Sequence, residues 1–494
     1  MFDCVVIGAG VSGMTAALIL ARHGWRVVVV EQASRSAPVL RGFWRDDVYF
    51  DTGFHLAGAL GPGQIMDVLF RYLGVRDHIQ TRPYDPDGFE VLRDERSGVE
   101  IRVPYGTERV RERFHALFPG EAGAVDEYLR LVQQTWDSFP YLNLEADLAA
   151  LGGTRTAHGP TLAEVLGRLT GSHLLRSVLS MHCLLHGVPP AFVPFAIHAV
   201  VSASYYQSAH AVVGGGGRLA AAFDEAMGRA GVRVLCGRAA TGIRVATDGA
   251  PFTVHLEGGE ALSGTRVIST IHPRRFLGLV PEGLFRPAFC NRLRGLEDTS
   301  GAYTAFVRTT APVENLTSAN LYLAVDGDPS DFNLGGPLGR RPMYVTTALG
   351  PGGGPGAGCI AICPADPKET APWADSRNGQ RPESYQEFKA RAATALISRL
   401  KRSCPELAAR MASLELATPL TFRDYHQSPE GSLYGVAHRV GQYNPEPMTR
   451  IRGLLQAGQA VAAPGVLGAM VSSFLACGTL LGHERLREAL RQCR

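Results

Sequence analysis

The chain has 494 residues, nine cysteines and a formal net charge of only +3. Hydrophobic residues make up 45% and charged residues 19%, so a sizeable core can form and a disordered polyelectrolyte is excluded. The near-neutral balance points to no nucleic-acid partner, and at roughly 150 residues per domain the length suggests two or three domains. No Cys-x-x-Cys pair occurs, so reduced core thiols and a cytoplasmic setting are expected, without zinc or disulfides. The N-terminus enters an apolar run at once, and no signal peptide is expected. The apolar stretches 187–206 and 453–482 are interrupted by Pro and His, or by Gly and Gln, and neither reads as a membrane span.

In chain order, residues 2–7 read as a buried parallel strand. Met14, Ala17, Leu18 and Ala21 then recur at helical spacing, Gly24 ends the helix, and Val27–Val30 form a second buried strand ending at Glu31. Helices are expected at 67–74, 124–136 and 161–185. Strand character returns over 231–245, 252–256 and 266–270, then over 302–308, 320–325, 343–349 and 359–363, with a Gly/Pro loop at 351–358. A long helix over 384–401, a strand over 453–457, a Gly-rich turn and a last helix close the chain. The expected fold is α/β: a discontinuous Rossmann-type nucleotide-binding domain (1–105, 205–295 and 415–494) with an inserted α+β substrate domain (106–204 and 296–414) that contains an antiparallel sheet.

Gly8-Ala9-Gly10-Val11-Ser12-Gly13 matches G-x-G-x-x-G. Its context gives it meaning, because it follows an apolar strand and opens a helix. Gly8 permits the tight turn, Gly10 lets backbone approach a diphosphate, and Gly13 lets helix and strand pack closely. The diphosphate then meets the free N–H groups of the helix N-terminus, Ser12 among them. Glu31 ends the second strand, where an acid binds a ribose 2′-hydroxyl and disfavours a 2′-phosphate.

Further motifs run in order along the chain. Tyr49-Phe50-Asp51-Thr52-Gly53-Phe54-His55-Leu56-Ala57-Gly58, Tyr205-Tyr206 with Val213–Leu219, Val267–Pro273, Thr418–Thr421, Pro429–Gly435, and Gly453–Gln459 with Pro464–Met470 together resemble the phytoene desaturase superfamily. The segments near the C-terminus are most similar to its retinol saturase (all-trans-retinol 13,14-reductase) and carotenoid isomerase branch. The resemblance implies FAD as cofactor. It implies a flavin ring met by Gly465, Gly468, Ala469 and Met470 at a helix N-terminus, Gly458 and Gln459 near the ribityl chain and phosphates, and Ala240 near adenine. It also implies a polyene or isoprenoid lipid substrate, whose double bond is saturated, formed or isomerised. One departure stands out: the family's Gly-Gly pair after the ribose acid falls on Ala37-Pro38. Pro38 has no N–H to offer, and Arg41 just beyond is the candidate to hold a phosphate instead.

No second G-x-G-x-x-G follows a strand, so electrons are expected to come from, or go to, an external partner. His-Glu-x-x-His and Gly-x-Ser-x-Gly are absent. His182 and His186 lack a third ligand, and no metal is expected. A proton must move if a double bond is made or saturated. His55 leads the candidates, followed by Tyr206, Tyr434 and Glu430. The apolar segment 193–203 reads as a core helix or as the lining of a lipid tunnel. A lipid-soluble substrate is consistent with peripheral contact at the inner face of a membrane. Two other readings stay open: a flavin amine oxidase, and a non-catalytic prenyl-lipid carrier of the GDP-dissociation-inhibitor kind.

Overall fold

A computed structural model describes residues 1–153, 158–246, 251–324, 334 and 336–494. Phe2–Ile7, four of whose six residues are buried, lies at the centre of a sheet of seven strands among the described residues. Val27–Val30 and Ala261–Ser269 flank it in parallel, Arg233–Leu235 extends one side, and Leu454–Gln456 pairs in parallel with Val267–Ser269. Phe252–Leu256 and Ala240–Val245 add an antiparallel hairpin. Val27–Val30 is four valines buried on both faces, as a central parallel strand requires. This sheet therefore collects strands from the beginning, middle and end of the sequence.

The second sheet has nine strands among the described residues. Its antiparallel core runs Met411–Ala417, Gly301–Thr309, Pro355–Ala365, Met343–Leu349, Asn320–Ala324. Glu90–Asp94 pairs in parallel with Asn320–Ala324 and carries Glu100–Val103. Helices Thr107–Leu117, Ala122–Asp137, Leu162–Leu169, His173–Ser180 and Phe195–Gln207 form a helical layer.

Several elements differ from the sequence reading for local reasons. The helix expected over 161–185 is three pieces, because Thr170-Gly171-Ser172 ends one helix and Ser172 caps the next by accepting from the Leu175 N–H at 3.3 Å. Residues 231–245 form two strands, since Gly237 turns the chain at φ +68°. Val325, expected to end a strand, lies outside the described residues. The strands Glu90–Asp94 and Glu100–Val103, grouped with the nucleotide-binding part by sequence, belong to the second sheet. Glu90–Asp94 pairs there with Asn320–Ala324, some 230 residues downstream, as the Tyr322–Glu90 separation of 232 shows. Among the described residues, no helix is long and apolar enough to cross a membrane. Among the described residues no cysteine is joined in a disulfide.

Asp51 fastens the loop after Val48–Phe50 to the Gly-rich loop at 214–217. It is 5% exposed, and its Oδ1 accepts the Gly216 N–H at 2.8 Å. A Cβ on Gly215 would fall 2.2 Å from Asp51 Oδ2, so only glycine lets the loop close over the carboxyl. Burial pushes Asp51 up to about 8. An unfolded aspartate ionises near ~3.9, so between these values the folded chain binds more protons. The stability this group contributes is present in full below pH ~4 and declines as pH rises toward about 8. Denaturation midpoints of the wild type and Asp51→Asn at pH 5 and 8 check this. The variant should show the shallower fall, and an unchanged slope would contradict the assignment. Gly13→Ala is the complementary test of the first turn, since its Cβ would lie 1.8 Å from Gly8 O. Overpacking of this kind costs ~1–3 kcal/mol or more, and thermal melting should show a Tm lower by several degrees.

Candidate functional site

At the end of Phe2–Ile7 the chain turns through Gly8 at φ +101°, where a Cβ would meet Thr270 Oγ1 at 2.6 Å. Gly10 is the N-cap of the helix Val11–Arg22 and supplies no side chain, and nothing lies within 4 Å of where its Cβ would be. The first N–H groups of that helix are therefore open to an anion. Glu31 is 7% exposed and accepts N–H groups from Ala9 and Ala33, both at 2.8 Å. Each carboxylate oxygen keeps a lone pair for a ribose hydroxyl.

The following loop shows how the chain manages without the Gly-Gly pair. Ala37 takes φ +51°, a left-handed conformation that glycine adopts without penalty. Its N–H donates to Ala9 O at 2.8 Å, holding the loop against the fingerprint. Arg41 is not free for a phosphate: its Nε donates to Ser36 O at 2.8 Å and its Nη2 to Asp224 at 2.6 Å. It borders a small cleft with Ser36, Asp224, Val234 and Cys236. Ala240 does not reach that cleft, because it sits in the antiparallel hairpin opposite Leu256. Val234 and Cys236, on the strand beside Val27–Val30 and just after it, are the better candidates for the adenine end.

The C-terminal segment returns to the same place. Gly458 adopts φ +121° and its N–H donates to Ser472 Oγ at 2.8 Å. Gln459 turns its backbone oxygen to His438 Nε2 at 2.7 Å. The helix Gly465–Leu481 starts without a side-chain cap, with Gly465 at φ +82° and open space where its Cβ would be. Gly468 is obligatory, since a Cβ there would lie 2.2 Å from Ala463 O. Ser12 Oγ donates to Ala469 O at 2.9 Å, and Ser473 Oγ donates to Ser12 O at 2.7 Å. These bonds join the two uncapped helix starts. Met470 points elsewhere, fully buried in the core with the fingerprint helix.

Beside the start of Gly465–Leu481 lies a cavity of about 1380 Å³ including its mouth. One wall is 53–58, another 462–468. The helix Phe195–Gln207 contributes Ile197, Val200, Val201, Ser204 and Tyr205, and the second sheet contributes Ala302, Tyr344 and Ile362. The wall contains no Asp, Glu, Lys or Arg among the described residues. His55 and Tyr434 both line it. The His55 imidazole has no hydrogen-bond partner among the described residues, its ring lies 6.1 Å from that of Tyr344, and burial pushes it down to about 4, so it is neutral at pH 7. Tyr434 Oη donates to Leu184 O at 3.4 Å, and its ring occupies space that a Cβ on Gly187 would enter at 2.9 Å.

The other two proton-transfer candidates lie outside the cavity. Tyr206 is turned about 100° around its helix from the cavity-lining Tyr205 and does not line the cavity, its ring 5.6 Å from that of His182. Of the Tyr205-Tyr206 pair it is Tyr205 that lines the cavity. The helical phase carried the signal, since Tyr205 follows Val201 by one turn and Tyr206 follows the buried Ser202. Glu430 is exposed, sits at φ +56°, and faces Arg274 at 3.6 Å. Tyr344 was not singled out, because one tyrosine in an apolar strand carries no motif. His186, His198 and Cys183 place ligand atoms within 4.8 Å of one another. The Val188 N–H donates to His186 Nδ1 at 3.4 Å, and His186 Nε2 lies 3.2 Å from His198 Nδ1, so the two imidazoles are linked to each other and to the backbone.

The site suits a long dinucleotide. It has an open helix N-terminus, a carboxylate with spare acceptor capacity, a second open helix N-terminus beside an apolar chamber, and glycines where a Cβ would block the path. The flavin containing amine oxidoreductase profile matches residues 11–348, more than half of the chain. All-trans-retinol 13,14-reductase of Macaca fascicularis is 25% identical over 97% of this chain and 85% of its own length. Hydroxyneurosporene desaturase of Rubrivivax gelatinosus is 24% identical over 97% of this chain and 93% of its own. The solved structure of putrescine oxidase bound to putrescine superposes with a TM-score of 0.63 at 16% identity, covering 99% of both chains. The protein belongs to the flavin containing amine oxidoreductase family and is an FAD-dependent oxidoreductase.

Proposed function

We propose that the protein transfers a hydride to or from a carbon–carbon bond of a polyene or isoprenoid lipid. The observation that carries this reading is the cavity wall, which has no charged side chain among the described residues and presents aliphatic and aromatic groups beside the open start of Gly465–Leu481. FAD supplies the hydride chemistry when bound. The chain's own contribution is to hold an apolar substrate there, exclude water, and keep a few polar groups (His55, Tyr205, Tyr344, Tyr434) at the reacting end. The retinol reductase and the desaturase are named for lipophilic polyene substrates, which supports the same chemistry here.

An amine oxidase reading has the family name and the putrescine oxidase fold in its favour. It has the wall against it. An ammonium group entering this cavity would leave water without a carboxylate to receive it, and burying an unpaired charge is costly.

The test is a panel of candidate substrates on the purified holoprotein under anaerobic conditions. Isoprenoid polyenes should exchange electrons with the flavin, with a product mass changed by two hydrogens or a shifted double bond, whereas primary amines should leave the flavin oxidised. Amine-dependent reduction with inert polyenes would overturn the reading. Val201→Asp, which puts a carboxylate into the wall, should cut polyene turnover at least about tenfold, or ~1.4 kcal/mol, with FAD content unchanged.

A further inference from the structure

The sequence sets His182 and His186 four apart with no third ligand, and folding parts them. His182 uses both ring nitrogens elsewhere, Nδ1 lying 2.9 Å from Ser202 Oγ and Nε2 2.9 Å from Glu90 Oε2. His186 instead meets Cys183, in the short helix Met181–Leu185, and His198, in the helix Phe195–Gln207. All three side chains belong to residues no more than 1% exposed.

Their donor atoms converge. His198 Nδ1 is 3.2 Å from His186 Nε2 and 3.8 Å from Cys183 Sγ, and the three ligand atoms lie within 4.8 Å of one another. A cation ~2.0–2.1 Å from imidazole nitrogen and ~2.3 Å from sulfur spaces its ligand atoms ~3.3–3.6 Å apart (nitrogen to nitrogen) and ~3.6–3.8 Å apart (nitrogen to sulfur) at tetrahedral or trigonal angles. The observed spacings sit close to both.

The imidazoles are also in the form that a metal needs. Leu179 O can only accept, so His198 Nε2, 2.8 Å away, carries the ring hydrogen and leaves Nδ1 with a bare lone pair. A carbonyl behind the ring is the usual way a ligating imidazole is oriented. Burial pushes His198 down to about 3 and His186 well below its ordinary range, so neither holds a second proton at pH 7. The Val188 N–H reaches His186 Nδ1 at 3.4 Å, a contact long enough to be given up when Nε2 becomes a ligand.

Charge selects the ion. The trio contains no carboxylate, and Glu90 connects to it through His182 and Ser202. One thiolate and two neutral imidazoles balance a single positive charge. A divalent ion would leave a surplus charge at a fully buried site, which is costly. Thiolate and imidazole together suit soft, monovalent copper.

We infer that Cys183, His186 and His198 bind one copper(I) ion, which clips Met181–Leu185 to Phe195–Gln207 behind the cavity wall. On binding, the Cys183 thiol gives its proton to solvent and the sulfur–copper bond forms, with no change of oxidation state. Leu184, Leu185 and Gly187 adjoin the first two ligands in sequence, Ile197 adjoins the third, and all four line the cavity. The ion therefore fixes the wall without touching substrate, and the inference stands whatever the cavity accepts.

The experiment mixes FAD-loaded protein anaerobically with copper(I) held in a chelator buffer, and in parallel with zinc alone, then desalts it and counts the metal. One equivalent of copper should remain, and its K-edge absorption should show one sulfur and two imidazole neighbours. The Tm should rise by several degrees, because the folded chain assembles the site. Cys183→Ser should keep its FAD, retain about tenfold less copper or lower still, and lose the rise in Tm, and His198→Gln should do the same. No copper retained by the wild type would overturn the inference, as would retention unchanged in Cys183→Ser. A copper site of sulfur ligands alone would also overturn it, since the ion would then sit on other cysteines. One equivalent of zinc with no copper would contradict the charge argument and overturn the choice of ion. If a variant fails to fold, the K-edge spectrum of the wild type decides by itself.

Discussion

The architecture depends on bringing two uncapped helix N-termini to one place from opposite ends of the chain. Ser12 and Ala469 are 457 residues apart in sequence and joined by a 2.9 Å hydrogen bond, with Ser473 returning a bond to Ser12 O. Each start exposes unsatisfied N–H groups and the positive end of a helix dipole, which nothing in the chain itself caps. Local packing at each start requires glycine, since a Cβ would meet Thr270 Oγ1 at Gly8, Gly8 O at Gly13 and Ala463 O at Gly468. A ligand with a diphosphate and, farther on, an electron-rich ring edge answers both ends at once.

The cavity follows from where the chain goes next. The helix Phe195–Gln207 is apolar almost all round and buried on most sides. One face forms the cavity wall and the other carries His198, Ser202 and Tyr206 into the buried polar string. In the second sheet Tyr344 and Tyr322 are cross-strand partners on one face, Tyr344 lining the cavity and Tyr322 donating to Glu90 on that same face. Glu90 and His182 thus stay outside a wall that holds no Asp, Glu, Lys or Arg among the described residues, an arrangement suited to substrates that bring no charge of their own.

The fingerprint βαβ unit was legible in the sequence because its signals are local: a strand, three glycines, a helix and an acid within 31 residues. The discontinuous nucleotide-binding sheet and the His55 segment followed from the order of motifs. What stayed hidden depends on long-range register or on helical phase. The parallel pairing of Glu90–Asp94 with Asn320–Ala324 has no local signature, and so neither did Glu90 as a buried partner of His182. The exchange of Tyr206 for Tyr205 is a phase error of one residue, about 100° around a helix. Arg41 read as a phosphate ligand because Asp224, which neutralises it, lies 183 positions away. Ala37 in a left-handed conformation shows that a glycine requirement can be met at a cost in backbone strain, which sequence alone registers only as a departure.

The most direct test of the central claim is a titration of the oxidised FAD-loaded protein, followed as a difference spectrum of the flavin bands. An apolar isoprenoid ligand should perturb those bands saturably at one equivalent, because the cavity adjoins the start of Gly465–Leu481 and its wall is uncharged, and short amines should leave them unchanged. Saturable perturbation by amines with no response to isoprenoids would contradict the claim, since the uncharged wall would then not be what selects the substrate.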